Sequence, residues 1–293
     1  YEVPYKGKER YEDDRAADQD GVVLESGERK AGFPTPSKKL EFYSSTLQEW
    51  GFGEHAVPGY IRSQVHWKEM DFEAGDRALL PTFRLPTLIH TRSANAKWLQ
   101  EISHTNPLWV HPQDAEKLGL ENGGLARVNT QLGYFVPRVW ITEGIHPGVV
   151  ACSHHVGRWR LYDRVGGTAM SSSMVDLERK GTSFLFRQKG GAGPLPSDDT
   201  DEVWWKEVGV NQNLTFAVQP DPMSGMHCWH QKVRVVAPVS SDRYGDVCVD
   251  TDKSWQVYQD WKKKTRPAPG PGGLRRPLWM HRPLHPAPEA YKM

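Results

Sequence analysis

Leu108-Trp109-Val110-His111-Pro112-Gln113-Asp114 and, beyond Gly119, Leu125-Ala126-Arg127-Val128-Asn129-Thr130-Gln131-Leu132-Gly133-Tyr134-Phe135-Val136-Pro137 decide the fold class of this 293-residue chain. Leu108-Trp109-Val110 reads as a short apolar strand. Pro112 suits the first turn of a helix, and Gly119 sits where a C′ glycine stops one. Residues 125–130 and 134–142 alternate as two strands about Gln131-Leu132-Gly133, a hairpin signal. Pro137 demotes its place in the second strand to an edge or a bulge. Gly148-Val149-Val150-Ala151-Cys152 adds a buried strand. Short strands separated by short helices predict a mainly β, α+β class and a small mixed barrel rather than a doubly wound sheet.

Outward from this stretch, residues 85–90 read as a strand, and residues 95–103 as a helix with Trp98, Leu99 and Ile102 on one face. Lys39-Leu40-Glu41-Phe42-Tyr43 reads as a short strand after the turn cluster at 32–37, and residues 47–80 as irregular. Residues 156–210, rich in Gly and Ser, predict long surface loops. Residues 232–236 predict a strand and residues 255–264 a helix. The first 30 residues carry 15 charges and predict a charged surface arm. Residues 262–293 hold eight Lys/Arg, one Glu and seven prolines. This irregular tail is expected to wrap a partner surface. The expected divisions are an arm at 1–31, a lead-in at 32–83, a barrel at 84–240, and a helix and tail at 241–293.

Composition excludes several classes. With 37 Lys+Arg against 36 Asp+Glu, net charge gives no reason to expect nucleic acid or a membrane surface as partner. No apolar run reaches membrane-spanning length. Cys152, Cys228 and Cys248 lie far apart without a CxxC pair, which excludes an iron–sulfur cluster or zinc site made from this chain's own cysteines. A start at Tyr1, without initiator Met or signal segment, predicts a processed chain or a piece of a longer one.

Three loops carry candidate chemistry. Thr91-Arg92-Ser93-Ala94-Asn95-Ala96-Lys97 runs from a strand end into a helix start, where free N–H groups, hydroxyls and two cations suit an anion. The plain alternative is Ser93 as an N-cap beside solvated cations. Cys152-Ser153-His154-His155-Val156-Gly157-Arg158 invites a metal reading, but adjacent histidines on a strand face opposite ways. A polar loop aimed at an anionic or heterocyclic ligand fits better, with Gly157 for close approach and Arg158 for bidentate contact. Asn211-Gln212-Asn213 and 221–232 offer amide donors and acceptors suited to a purine or pterin edge, or ordinary turn formers. No GxGxxG, P-loop, GxSxG or HExxH pattern occurs.

In order along the chain, Gly32-Phe33-Pro34-Thr35-Pro36-Ser37, His90-Thr91-Arg92-Ser93-Ala94-Asn95, Asn106-Pro107-Leu108-Trp109-Val110, Ser153-His154-His155-Val156-Gly157-Arg158-Trp159, Asn211 to Leu214 and Asp221 to Lys232 resemble the C-terminal part of a molybdopterin oxidoreductase of the DMSO-reductase superfamily. The wording is most similar to the sulfite dehydrogenase and polysulfide/thiosulfate reductase branch. The resemblance covers roughly residues 32–240. It implies a double-psi β-barrel closing over one face of a bis(molybdopterin guanine dinucleotide) cofactor.

The same resemblance implies contacts. Thr91, Arg92, Ser93, Asn95 and Lys97 would meet the pyrophosphate and dithiolene side. His154, His155, Gly157 and Arg158 would lie along a pterin. Asn211, Asn213 and Lys232 would contact the pterin or guanine end. The molybdenum or tungsten ligand and the iron–sulfur cysteines of the family are absent here, and would belong to upstream catalytic domains in the same or a separate chain. The expected role is cofactor binding in two-electron chemistry on a sulfur oxyanion or similar small inorganic substrate. The implied partners are an iron–sulfur electron-transfer subunit and a membrane anchor subunit. The compartment stays open, a membrane-associated complex on the cytoplasmic face being favoured over the periplasmic one. The competing expectation is an assembly subunit that kept the barrel without the cofactor.

Overall fold

The computed structural model describes residues 41–49, 51–63, 65–90, 97–102, 106–154, 159–161, 173–188, 209–217, 220–221 and 226–264, together with short strands within residues 1–31. The chain divides into two compact units, one of Tyr1–Ile61 with Arg266–Met293 and one of Arg62–Thr265. In the first, β1 (Val3–Pro4), β2 (Val22–Val23) and β3 (Arg29–Ala31) form an antiparallel sheet in the order β1-β3-β2. Helix α1 (Ser45–Glu49) follows, with the Ser44 hydroxyl accepting from Leu47 N at 3.2 Å. Residues 41–43, expected as a strand, join none, and Phe42 and Tyr43 are exposed.

The second unit is built on one mixed sheet. Its strands are β4 (Asp76–Leu80), β5 (Leu108–Val110), β6 (Arg127–Asn129), β7 (Gly133–Phe135), β8 (Val139–Ile141), β9 (Val149–Ala151), β10 (Trp159–Leu161), β11 (Ser173–Lys180), β12 (Ser183–Gln188), β13 (Gln231–Val236) and β14 (Val247–Asp250). They run in the order β10-β11-β12-β14-β7-β6-β13-β4-β9-β5-β8, an open ladder with β10 and β8 at its edges. Around it lie α2 (Lys97–Ile102), α3 (Pro112–Leu118) and α4 (Thr251–Lys264). The fold is mainly β with few short helices, as the strand and turn signals predict.

Leu79, Leu108, Val128, Phe135, Val150, Val233 and Val235 are fully or almost fully buried and form one cluster. Each such side chain contributes about 1.5–3 kcal/mol of transfer free energy. The expected 125–142 pattern is found as β6, a hairpin turn and β7, and Pro137 separates β7 from β8. Gly133 is required where β7 meets β14, because a Cβ there would lie 1.9 Å from the Cys248 carbonyl oxygen. Helix α3 starts at Pro112, with the His111 ring accepting from Gln113 N, and ends at Gly119 in the left-handed conformation (φ 64°).

Four expectations are corrected. Residues 76–80, expected as irregular, are the central strand β4; its buried Asp76 and Arg77 hide the apolar alternation. Residues 85–90 form no strand. Pro86 takes the second position of a turn closed by Leu88 N donating to Leu85 O at 3.1 Å. Within 156–210, expected as loops, β11 and β12 pair over six positions about a tight turn at Gly181 (φ 63°). Their polar alternation, with Val175 and Leu185 buried, is diluted by the Gly- and Ser-rich flanks. Finally, α2 does not bury its apolar face, for Trp98 is 70% and Ile102 72% exposed.

Candidate functional site

Strand register gathers four chain segments at one end of the sheet. Parallel β4 and β9 finish together, with Leu80 opposite Ala151. Antiparallel β13 begins at the same level, with Gln231 opposite Leu79. β5 runs against β9, with Trp109 opposite Ala151, so Asn106 and Pro107 enter from this end too. The segments opening here are therefore 81–90 after β4, 152–154 after β9, 106–107 before β5 and 226–230 before β13. A parallel pair whose carboxyl ends carry the loops is a common setting for ligand sites.

Buried amides and rings hold these segments. Asn106, 1% exposed, donates from Nδ2 to Ser153 O at 2.8 Å and accepts at Oδ1 from Val210 N at 2.9 Å. Gln212, also 1% exposed, donates from Nε2 to Cys152 O at 2.6 Å. The His154 Nδ1 lies 2.8 Å from Pro81 O. Its ring packs 4.9 Å from that of His90 and 6.4 Å from Trp229, and Trp229 meets His227 edge-on at 4.5 Å. His90 itself is left-handed (φ 47°), uncommon for a residue with a Cβ, and directly precedes the Thr91 loop. The Cys152 thiol is fully buried, which pushes its pKa up and keeps it protonated.

Among the described residues, the segments that open at this end carry no carboxylate. Residues 78–100, 144–162 and 222–241 contain no Asp or Glu, and the first of these segments holds Arg84, Arg92 and Lys97. The run into β4 is acidic instead, with Glu69, Asp71, Glu73 and Asp76. There Asp76 is buried and held by Arg234 at 2.9 Å and Lys232 at 2.9 Å. Burial alone would raise its carboxyl, but hydrogen bonds from Lys232, Arg234 and the Asp71 N–H outweigh this and hold it below the ordinary carboxylate value.

Several expected site residues fall outside the described residues: Thr91, Arg92, Ser93, Asn95, His155, Gly157 and Arg158. Lys97 opens α2. His154 stands within the ring cluster. Asn211 precedes the helical turn Gln212–Thr215, and Asn213 in that turn is exposed. Lys232 is placed apart from the rings, in a groove of about 510 Å³ lined by Asp76, Asn129, Thr130 and Gln131 among others. Sequence reasoning missed Asn106 and His90 as site residues, and took in Gln212 and Trp229 only as parts of longer candidate loops. A lone Asn before Pro, or a Gln between two Asn, carries no signal until burial shows that its amide is spent on backbone.

No group of three or more His, Cys, Asp or Glu able to hold a metal occurs among the described residues. The donor set instead fits a phosphate-bearing heterocycle: an acid-free end, imidazole and indole faces, and a buried acceptor. That acceptor is Gln212 Oε1, which has no hydrogen-bond partner among the described residues and could receive an N–H of a purine or pterin. Such an end defines a nucleotide-cofactor-binding domain. Residues 79–232, just over half of the chain, match the Molydopterin dinucleotide binding domain family, and the chain belongs to that family. It is a molybdopterin domain of the DMSO-reductase superfamily, and its cofactor is of the molybdopterin dinucleotide type.

Among its relatives, the arsenate respiratory reductase molybdopterin-containing subunit of Chrysiogenes arsenatis is 29% identical over 44% of this chain and 19% of its own length. The thiosulfate reductase molybdopterin-containing subunit of Salmonella typhimurium is 30% identical over 47% of this chain and 17% of its own. Acetylene hydratase from Pelobacter acetylenicus, a solved structure, aligns over 47% of this chain and 18% of its own at 22% identity and a TM-score of 0.39. The matched part of this chain thus spans about a fifth of the length of these curated relatives.

Proposed function

We propose that this chain is the C-terminal cofactor-binding portion of a molybdenum or tungsten bis(molybdopterin guanine dinucleotide) oxidoreductase, acting on an oxyanion such as one of sulfur. The observation that carries the reading is the convergence of the His90, His154 and Asn211 segments on the acid-free end of the β4–β9–β13 ladder. Two relatives named as arsenate and thiosulfate reductases support the oxyanion class. The parallel pairs β4–β9 and β5–β8, joined through an antiparallel β5–β9 contact, support a double-psi β-barrel as the closed form of this sheet.

When bound, the cofactor supplies two-electron redox with oxygen-atom transfer at its metal. This chain's residues bind and orient it. Arg92 and Lys97, with the Thr91, Ser93 and Asn95 side chains, neutralise and hold the pyrophosphate. His154, His155, Gly157 and Arg158 line one pterin. Asn211 and Asn213 hydrogen-bond a ring edge, and Lys232, held by Asp76 in the neighbouring groove, contacts the pterin or guanine end.

Trp98, Ile102 and Met226 are all at least 70% exposed, which suits burial against upstream catalytic domains of the same or a separate chain. An iron–sulfur subunit and a membrane anchor complete the proposed complex, with residues 265–293 as a docking tail; deleting them should abolish copurification of those subunits. No helix among the described residues is long and apolar enough to cross a membrane.

The test is denaturation of the purified complex, with release and identification of guanine nucleotide and metal. Arg92→Glu places like charge beside phosphate and should empty the site. Full metal content in that variant would sink the phosphate role.

A further inference from the structure

Two buried amides, one from each of two loops, grip consecutive carbonyls just past β9. Asn106 Nδ2 takes Ser153 O, and Gln212 Nε2 takes Cys152 O. Asn106 also closes on Val210 N through Oδ1, while its own backbone carbonyl lies 3.4 Å from the Cys152 thiol. Three segments thus meet at the Asn106 side chain, namely the lead into β5, the exit of β9 and the stretch at 209–210, and Gln212 ties the turn beyond to the same β9 exit. Both side chains are 1% exposed.

We propose that Asn106 and Gln212 are positioning residues, which lock the 152–154 and 209–213 loops into a single unit so that His154, Asn211 and Asn213 meet the dinucleotide in one fixed spacing. This rests on the cofactor reading above. A neutral amide suits the task. It satisfies a carbonyl and an N–H at once, and it adds no negative charge to an end that must accept phosphates. Removing it takes the Nδ2 donor from Ser153 O and the Oδ1 acceptor from Val210 N, so each loop loses the bond that ties it to the other. The asymmetry of the amide gives a distinguishing variant. Asn106→Asp keeps the acceptor for Val210 N but turns the donor facing Ser153 O into a second acceptor.

The test uses the purified holo complex, read by hydrogen exchange of individual segments and by the half-time of guanine dinucleotide loss. In Asn106→Ala, exchange should rise at least tenfold at both 152–154 and 209–213, with β6, β7 and β13 unchanged, and dinucleotide loss should quicken tenfold or more. In Asn106→Asp, exchange should rise at 152–154 while 209–213 stays protected. Gln212→Ala added to Asn106→Ala should cost less than the product of the two single effects, because both act on one unit. The proposal is overturned by a uniform rise across the sheet, by a rise in only one loop of Asn106→Ala, or by unchanged dinucleotide loss. If the wild-type complex releases no pterin nucleotide, the cofactor reading itself fails, and the exchange pattern still reports whether the loops move together.

Discussion

At the start of β4, the chain buries charge: Arg77 and Asp114 pair at 2.8 Å with side chains 1% and 7% exposed, and the second Asp114 oxygen takes the Gly148 N–H at 2.6 Å. At the far end of the same strand, no carboxylate occurs from residue 78 to residue 100, and the buried groups that tie the loops are neutral amides. The two ends face different demands. The first must only hold β4, α3 and the turn before β9 together, and a buried ion pair with satisfied lone pairs does so. The second must leave its positive potential for a ligand, and any carboxylate placed there to pair an arginine would cancel it. Stability and binding are thus divided along one strand five residues long.

The division can be broken from either side. The largest effect is expected from Asp114→Ala, which strands the Arg77 guanidinium in the core; urea unfolding should show a loss of about 3–5 kcal/mol. Cofactor content per folded molecule should be unchanged. Gly133→Ala should cost about 1–3 kcal/mol, because β7 and β14 must part to admit the methyl group, and the loss should appear in the same measurement.

A smaller, graded effect is expected from acid. Asp76 and Asp242 are both buried, which by itself raises a carboxyl, yet bonds from Lys232 and Arg234 to the first and from Arg127 to the second hold both pKa values below the ordinary one. The unfolded chain then binds these protons more readily. The stabilisation is complete above the unfolded carboxylate pKa of about 3.9 and is lost as pH falls below it. Thermal midpoints measured from pH 7 to pH 3 should drop at the acid end, and Asp242→Asn should flatten that limb. A limb as steep in the variant as in the wild type would mean that Asp242 is not among the groups that titrate it.

The smallest stability effect, within about 0.5 kcal/mol, is expected from the exposed Arg84→Glu. Its cofactor content should nonetheless fall, since the new carboxylate enters the acid-free end. Equal retention by Arg84→Glu and wild type would show that the lack of acid at this end plays no part in holding the ligand.

How much of this was legible in the sequence depended on whether a residue's neighbours in space were also its neighbours in the chain. Pro112, Gly119, the Gln131-Leu132-Gly133 turn and the apolar run ending at Cys152 act within a few residues, through fixed backbone angles and strand alternation, and the elements they mark were found where expected. The ordered loop motifs likewise pointed to the family. β4 was hidden because Asp76 and Arg77 are acceptable in a core only beside Lys232, Arg234 and Asp114, all distant in sequence. α2 misled for the converse reason: its apolar spacing is real, but the fold leaves Trp98 and Ile102 largely exposed.

By itself, then, the sequence determined local geometry, the fold class and the family, because turns, caps and alternation are short-range physics. Only the tertiary structure decided that β4 and β9 end together, that acid-free segments distant in sequence meet beyond them, and that Asn106 and Gln212 are spent on three backbone groups, 47 and 104 residues away from Asn106 and 60 from Gln212. Hydrogen bonds of that reach depend on how strands are paired in space. No local pattern in the chain records that pairing.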